Sequence, residues 1–171
     1  MHPNVSANII LIGMPGAGKS TIGLLLAQKL AYPFVDTDKL IEAAEGETLQ
    51  AIVDQRGHLA LRAIEEKILS ALNYRAHLIA TGGSAVYSQV AMARLKQLGT
   101  IIYLQLDFSL LEQRIGNFSA RGLVRRKDQS LADLYRERVP LYERYADIAI
   151  NCDGKSPEVI ATAIIEAVGK E

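Results

Sequence analysis

The densest chemistry in this chain lies in the run Gly13-Met14-Pro15-Gly16-Ala17-Gly18-Lys19-Ser20. Its fixed positions, Gly13, Gly18, Lys19 and Ser20, follow the pattern G-x-x-x-x-G-K-[ST]. Glycines let the backbone wind closely, so that successive amide N–H groups point inward at phosphate oxygens. A helix opening at about Lys19 adds its partially positive N-terminus. Lys19 can reach the terminal phosphates, and the Ser20 hydroxyl can join the shell of a magnesium ion. The blander alternative is an ordinary glycine turn before a helix. All four fixed positions are met between an apolar run and an amphipathic one, so a nucleoside triphosphate is expected here. Its binding set is Gly13, Gly16, Ala17, Gly18, Lys19, Ser20 and Thr21.

Further candidates are spread along the chain. Asp36 and Asp38 stand two apart at the end of a short apolar stretch. Asp36 could hold a magnesium ion directly or through water, and Asp38 could orient an attacking hydroxyl; the alternative is an aspartate capping the next helix. Arg62 and Glu65 are three apart on one helical face and can pair. Such a pair is either a solvated surface contact or a guanidinium held ready to grip a carboxylate. Gly82-Gly83 is either a tight turn or a place where a ligand approaches the backbone. Arg121 begins a polar, basic segment with Arg125, Arg126 and Lys127. That segment reads as a closing lid with Arg121 facing inward on the transferred phosphoryl group, or as a hydrated loop.

The elements that must position these residues alternate. Residues 8–12 read as a buried strand, and 21–31 as a helix with an apolar stripe. A very short strand at 34–35 runs into Asp36. Short helices follow at 40–44 and 48–55, and a longer one spans 59–72 with Leu61, Ile64, Ile68 and Leu72 at helical spacing. Strands are expected at 78–80, 100–106 and 147–151, with a helix over 90–98 between the first two. A capping box, Ser109 with Glu112, predicts a helix start there. Ser130 caps another helix, which Pro140 should kink or interrupt. Ser156-Pro157-Glu158 starts the last helix, which stops before Gly169. Alternating strands and helices imply right-handed crossovers and a parallel sheet covered on both faces. Ligands in such sheets sit outside the carboxyl ends of the strands. The glycine loop, Asp36-Thr37-Asp38 and Thr81-Gly82-Gly83 should therefore share one edge.

Bulk properties narrow the function. With 171 residues and no linker or repeat, one domain is expected. Nineteen basic and nineteen acidic residues balance, which gives no general attraction to nucleic acid or an anionic membrane. No apolar run approaches membrane-spanning length, and Met1-His2-Pro3-Asn4 lacks the features of a signal peptide. Cys152 is alone and the three histidines are scattered, so neither a disulfide nor a zinc site is expected. A cytoplasmic monomer is the simplest expectation.

Taken together, the ordered pieces resemble the shikimate kinase family from about Asn8 to the C-terminus. The pieces are Gly-Met-Pro-Gly-Ala-Gly-Lys-Ser-Thr-Ile-Gly (13–23), Asp-Thr-Asp (36–38), Leu-Arg-Ala-Ile-Glu-Glu (61–66), Thr-Gly-Gly-Ser-Ala-Val (81–86) and Arg-Val-Pro-Leu-Tyr-Glu (138–143). The resemblance implies an α/β fold of the P-loop, nucleoside-monophosphate-kinase type: a five-stranded parallel sheet with a substrate-binding insert at about 37–65 and a lid at about 116–129. It implies transfer of the ATP γ-phosphate to the 3-hydroxyl of shikimate, on the route to chorismate and the aromatic amino acids. Ser20 and Asp36 would then serve Mg2+. Asp38 would bind the ring hydroxyls and help take the proton. Arg62, Gly82, Gly83 and Arg138 would hold the substrate, the arginines on its carboxylate. Lys19 and Arg121 would act on the phosphates, and Arg114 would lie against the adenine. The family usually has a third glycine where this chain has Ser84, and proline where it has Gly122; the stretch from Arg121 to Arg138 is also shorter. Two other readings stand beside this one: a kinase of another small hydroxylated metabolite, such as gluconate or a nucleoside monophosphate, and a non-catalytic nucleotide-binding module.

Overall fold

The computed structural model describes residues 7–116 and 128–169. Among them, strands β1 (Asn8–Ile12), β2 (Phe34–Asp36), β3 (Leu78–Ala80), β4 (Gly99–Gln105) and β5 (Ile148–Asn151) pair in the order β2-β3-β1-β4-β5. Every pairing is parallel. The helices are α1 (Lys19–Leu30), α2 (Thr37–Glu45), α3 (Leu49–Arg56), α4 (His58–Ser70), α5 (Gln89–Leu98), α6 (Phe108–Ile115), α7 (Leu131–Tyr145) and α8 (Pro157–Val168). Central β1 is buried at every residue. A strand covered on both faces has no polar side, which is why Asn-Ile-Ile-Leu-Ile shows no alternation. The five-stranded parallel sheet flanked by helices is the one expected.

Two apolar clusters hold the layers. The larger joins the sheet to α1, α5, α6, α7 and α8 through residues such as Leu26, Met92, Leu111, Tyr142 and Ile164. The smaller, Ile41, Ile52 and Leu61 with Leu49, Val53, Ile64 and Ile68 against it, ties α2, α3 and α4 to one another.

Local chemistry moved several boundaries. Helix α2 starts at Thr37 rather than near Leu40, because the Asp36 side chain accepts from the Asp38 amide and caps it. At α6 the cap is Asp107, which accepts from both the amide and the hydroxyl of Ser109, so Ser109 is a donor inside the helix and not its cap. Ser130 caps α7 as expected, and Asp133 returns the bond to complete a capping box. Pro140 does not interrupt α7: Leu134, Arg138 and Tyr142, four apart, are all buried on one face. Packing along that face outweighs the one backbone bond that proline removes.

At the foot of β1, one side chain ties three chain segments together. Asn8 Nδ2 donates to the carbonyls of Tyr74 (2.7 Å) and Leu98 (2.9 Å), and its Oδ1 accepts from the His77 amide (2.9 Å). Asn8 is 1% exposed, so a shorter side chain would leave buried backbone groups without partners. Asn8→Ala should destabilise the protein by about 2–4 kcal/mol, read as a lowered urea midpoint. An unchanged midpoint would show that these bonds add no net stability.

Candidate active site

The phosphate-loop sequence dictates its own geometry. Gly18 caps α1 with φ +96°, a left-handed conformation that favours glycine. No side chain caps α1 and its first turn holds no acid. Its leading amides therefore remain available to an anion. Lys19, 9% exposed, donates from Nζ to the carbonyls of Gly13 (2.7 Å) and Met14 (2.8 Å). An ammonium has three hydrogens, so one stays free for a phosphate oxygen. Burial pushes Lys19 down to about 8, with Asp38 working against that shift. It thus remains mostly cationic at neutral pH.

The ends of β1, β2 and β3 bring the other candidates to this loop. The Thr81 amide and hydroxyl both donate to the Leu11 carbonyl, at 3.1 and 2.9 Å, and the Gly82 amide donates to Thr37 Oγ1 at 3.3 Å. A cavity of about 590 Å³ opens along this edge. Its walls include Gly16, Gly18, Lys19, Ser20 and Thr21 on one side. Asp36, Asp38, Gly82, Gly83 and Arg138 also line it. The glycines at 82 and 83 are needed for close approach. A Cβ on Gly82 would fall 2.5 Å from Asp38 Oδ1, and one on Gly83 would fall 2.7 Å from Arg138 Nη1. The Gly83 carbonyl is fixed by a 2.6 Å bond from the buried Tyr142 hydroxyl.

Charge is crowded here. Burial, together with neighbouring Asp36, pushes Asp38 up to about 6, while Lys19 opposes. Asp36 spends Oδ1 on capping α2, so the capping alternative is realised, and its second oxygen is left over. That oxygen and the exposed Ser20 hydroxyl make a sparse donor set. Such a set suits a hard cation that keeps waters and phosphate oxygens of its own.

Not every candidate lines the cavity. The Arg114 guanidinium reaches the Ala17 carbonyl at 3.5 Å, beside the loop. Arg62 stacks on the Tyr87 ring, its Cζ 3.7 Å from the ring centre. Arg121 lies outside the described residues, as does most of the lid expected at 116–129. Glu65 does not partner Arg62 as the spacing had allowed. Its Oε2 accepts from Ser84 Oγ at 2.6 Å, and its Oε1 is buried without a hydrogen bond. Burial pushes Glu65 up to about 7, with the Ser84 bond opposing. Ser84, Tyr87 and Tyr142 were not among the site residues expected from sequence, and Glu65 was considered only as a partner for Arg62. One signal was available: Glu65 falls midway between Leu61 and Leu69, four residues from each, and all three are buried.

A family model for shikimate kinase matches residues 15–169. The chain belongs to the shikimate kinase family. It is 40% identical over 165 residues to the shikimate kinase of Pasteurella multocida, covering 94% of each chain. It is 36% identical to that of Thermodesulfovibrio yellowstonii, covering 93% of each. Among solved structures, shikimate kinase from Acinetobacter baumannii in complex with shikimate superposes with a TM-score of 0.87 at 32% identity, over 97% of this chain and 94% of that one. Membership makes the protein a P-loop kinase that uses ATP, and such transfer implies a divalent cation.

The two raised carboxyls have a cost in stability. Glu65 binds its proton more tightly folded than unfolded, where 4.5 is ordinary. Its contribution is therefore fully present below that value and is lost as pH rises through about 7. Melting temperature should fall from pH 5 to pH 8, and Glu65→Gln should flatten that fall. The expected gain for the variant at pH 8 relative to pH 5 is about 3–8 °C, since a tenfold change in proton affinity is ~1.4 kcal/mol and ~1 kcal/mol moves Tm by ~2–4 °C at this size. Parallel melting curves against pH would contradict it. Asp38 stays in the variant with the same sign, so some slope persists.

Proposed function

We propose that the chain transfers the γ-phosphate of ATP, with Mg2+, to the 3-hydroxyl of shikimate. The observation that carries this reading is that Lys19, Asp38 and Arg138 line one cavity. A phosphate-gripping cation, a carboxylate and a carboxylate-gripping cation are thus offered to the same small molecule.

In this reading the loop Gly13, Gly16, Ala17, Gly18, Ser20 and Thr21 wraps the phosphates through the amides it leaves free, with the free hydrogen of Lys19; the Ala17 amide itself is spent on the Met14 carbonyl at 3.1 Å and shapes the loop. Arg114 lies against the base. Ser20 and the free Asp36 oxygen hold Mg2+, which supplies neutralisation of charge on the phosphate oxygens. Arg138 and Arg62 grip the acceptor's carboxylate, and Gly82 and Gly83 let its ring approach the backbone. Asp38, raised to about 6, is ionised at neutral pH yet basic enough to accept the hydroxyl proton. The substrate oxygen bonds to the γ-phosphorus, the bond from that phosphorus to the bridging oxygen breaks, ADP leaves, and the proton passes to Asp38. Arg121 is assigned to the developing charge on the phosphoryl oxygens. We also take the protein to act as a monomer that binds no nucleic acid, and as cytoplasmic, the last in keeping with the free, buried thiol of Cys152. Light scattering at a dimer mass would reject the monomer.

A coupled ADP assay tests the activity: ADP should form only when shikimate and Mg2+ are both added. Arg138→Ala should lower kcat/KM for shikimate by about 100-fold or more, and Arg62→Ala by about 10-fold or more, as expected when a charge partner is removed. KM for ATP should hold in both. Unchanged shikimate kinetics in both variants would reject the assignment.

A further inference from the structure

Tyr87 closes a short 3-10 turn, Ala85–Tyr87, just after Gly82-Gly83. It touches both arginines assigned to the acceptor's carboxylate. The Arg62 Cζ lies 3.7 Å from its ring centre, and the Arg138 Cζ lies 5.4 Å from the same point. Arg138 Nε donates to the Tyr87 hydroxyl at 3.2 Å. That hydroxyl donates in turn to Glu137 Oε1 at 2.6 Å, and Gln129 Nε2 holds the other oxygen of Glu137 at 3.1 Å. We propose that Tyr87 is a positioning residue that sets the two guanidinium groups for the acceptor's carboxylate. The proposal rests on the reading above, in which those arginines grip that carboxylate.

The chemistry of each contact supports it. A guanidinium stacked by its face keeps its N–H edges free, and those edges are what a carboxylate binds. Arg62 is held in that way. Arg138 gives Nε to the Tyr87 phenol, and its guanidinium also interacts with the Tyr142 hydroxyl, so its terminal nitrogens are held beside Gly83, where Nη1 faces the cavity edge. A phenol can accept and donate at once, so a single hydroxyl joins Arg138 to Glu137 with its proton direction set by the carboxylate. Burial and the bond to Glu137 both push the phenol up, which keeps it a proton donor across the working range. Tyr87 thus holds each arginine by a part that the substrate does not need.

Steady-state kinetics with both substrates varied, on Tyr87→Phe and Tyr87→Leu, test this. Tyr87→Phe keeps the ring under Arg62 and loses the hydroxyl. It should raise the shikimate KM about 5–10-fold, the net worth of one ordinary hydrogen bond, since the lost bond acts on the substrate only through Arg138. Tyr87→Leu loses both contacts and should raise it about 30-fold or more. KM for ATP should stay within about twofold in each, a split that general loosening of the fold would not produce. In an Arg62→Ala background, Tyr87→Leu should exceed Tyr87→Phe by much less than it does with Arg62 present, because the stacking partner is gone and only the looser ring contact to Arg138 is left. The proposal fails if both Tyr87 variants leave the shikimate KM unmoved while Arg62→Ala and Arg138→Ala raise it. It fails also if ATP and shikimate KM rise together, or if the full leucine effect persists without Arg62. If the arginine variants are themselves silent, the functional reading falls first and this positioning role falls with it.

Discussion

The site depends on how three parallel strands end. Central β1 and its neighbour β3 are stitched at their tips by Thr81, whose amide and hydroxyl both donate to the Leu11 carbonyl. The next link is the Gly82 amide on Thr37 Oγ1, which ties β3 to the start of α2. A parallel arrangement sends every one of these chains off the sheet in the same direction. The phosphate loop, the paired aspartates and the double glycine therefore face one another across a cavity, although more than sixty residues separate the first from the last.

That convergence is electrostatically expensive. Lys19, Asp38, Glu65 and Arg138 are drawn into a small volume, and the first three are shifted mainly by loss of water. The protein limits the cost with fixed dipoles from backbone and side chains. Two loop carbonyls solvate the Lys19 ammonium, one serine hydroxyl serves Glu65, and a phenol serves Arg138. Groups held this way need little reorganisation when charge develops on a ligand, which is where preorganised dipoles gain their effect. The unpartnered oxygen of Glu65 marks where this compensation is incomplete.

Local patterns made most of the fold legible. The apolar run at β1, the turn chemistry around Gly13 to Ser20, the Ser130 cap and the Ser156-Pro157 start are each decided by neighbours in sequence, and each stands where it was expected. What was illegible depends on partners far along the chain. Pro140 looked like a break because its cost is local, while the packing that outweighs it, through Arg138 and Tyr142, is not. Asp107 displaced Ser109 as a cap because both have the right chemistry and only the backbone decides between them. Arg62 and Glu65 had the spacing of a pair, but each found a better partner, Tyr87 and Ser84, some twenty residues away. Helical spacing says which side chains are near, not which contacts win.

Ser84 shows the same logic at the one place in the glycine run where this chain departs from the family's usual pattern. A side chain at either of the two preceding positions would have to displace site groups: a Cβ at Gly82 would meet Asp38 and Glu65, and one at Gly83 would meet Arg138 and Pro15. At position 84 a side chain is accommodated, and its hydroxyl meets Glu65 Oε2 at 2.6 Å. A glycine there would leave both Glu65 oxygens buried without a hydrogen bond, since Oε1 already lacks one. The departure therefore falls where the structure has both the room and an unmet acceptor. It supplies a hydrogen bond to the charged form of a carboxylate whose surroundings otherwise favour the neutral one, and so it lowers the cost of keeping an acid beside Asp38.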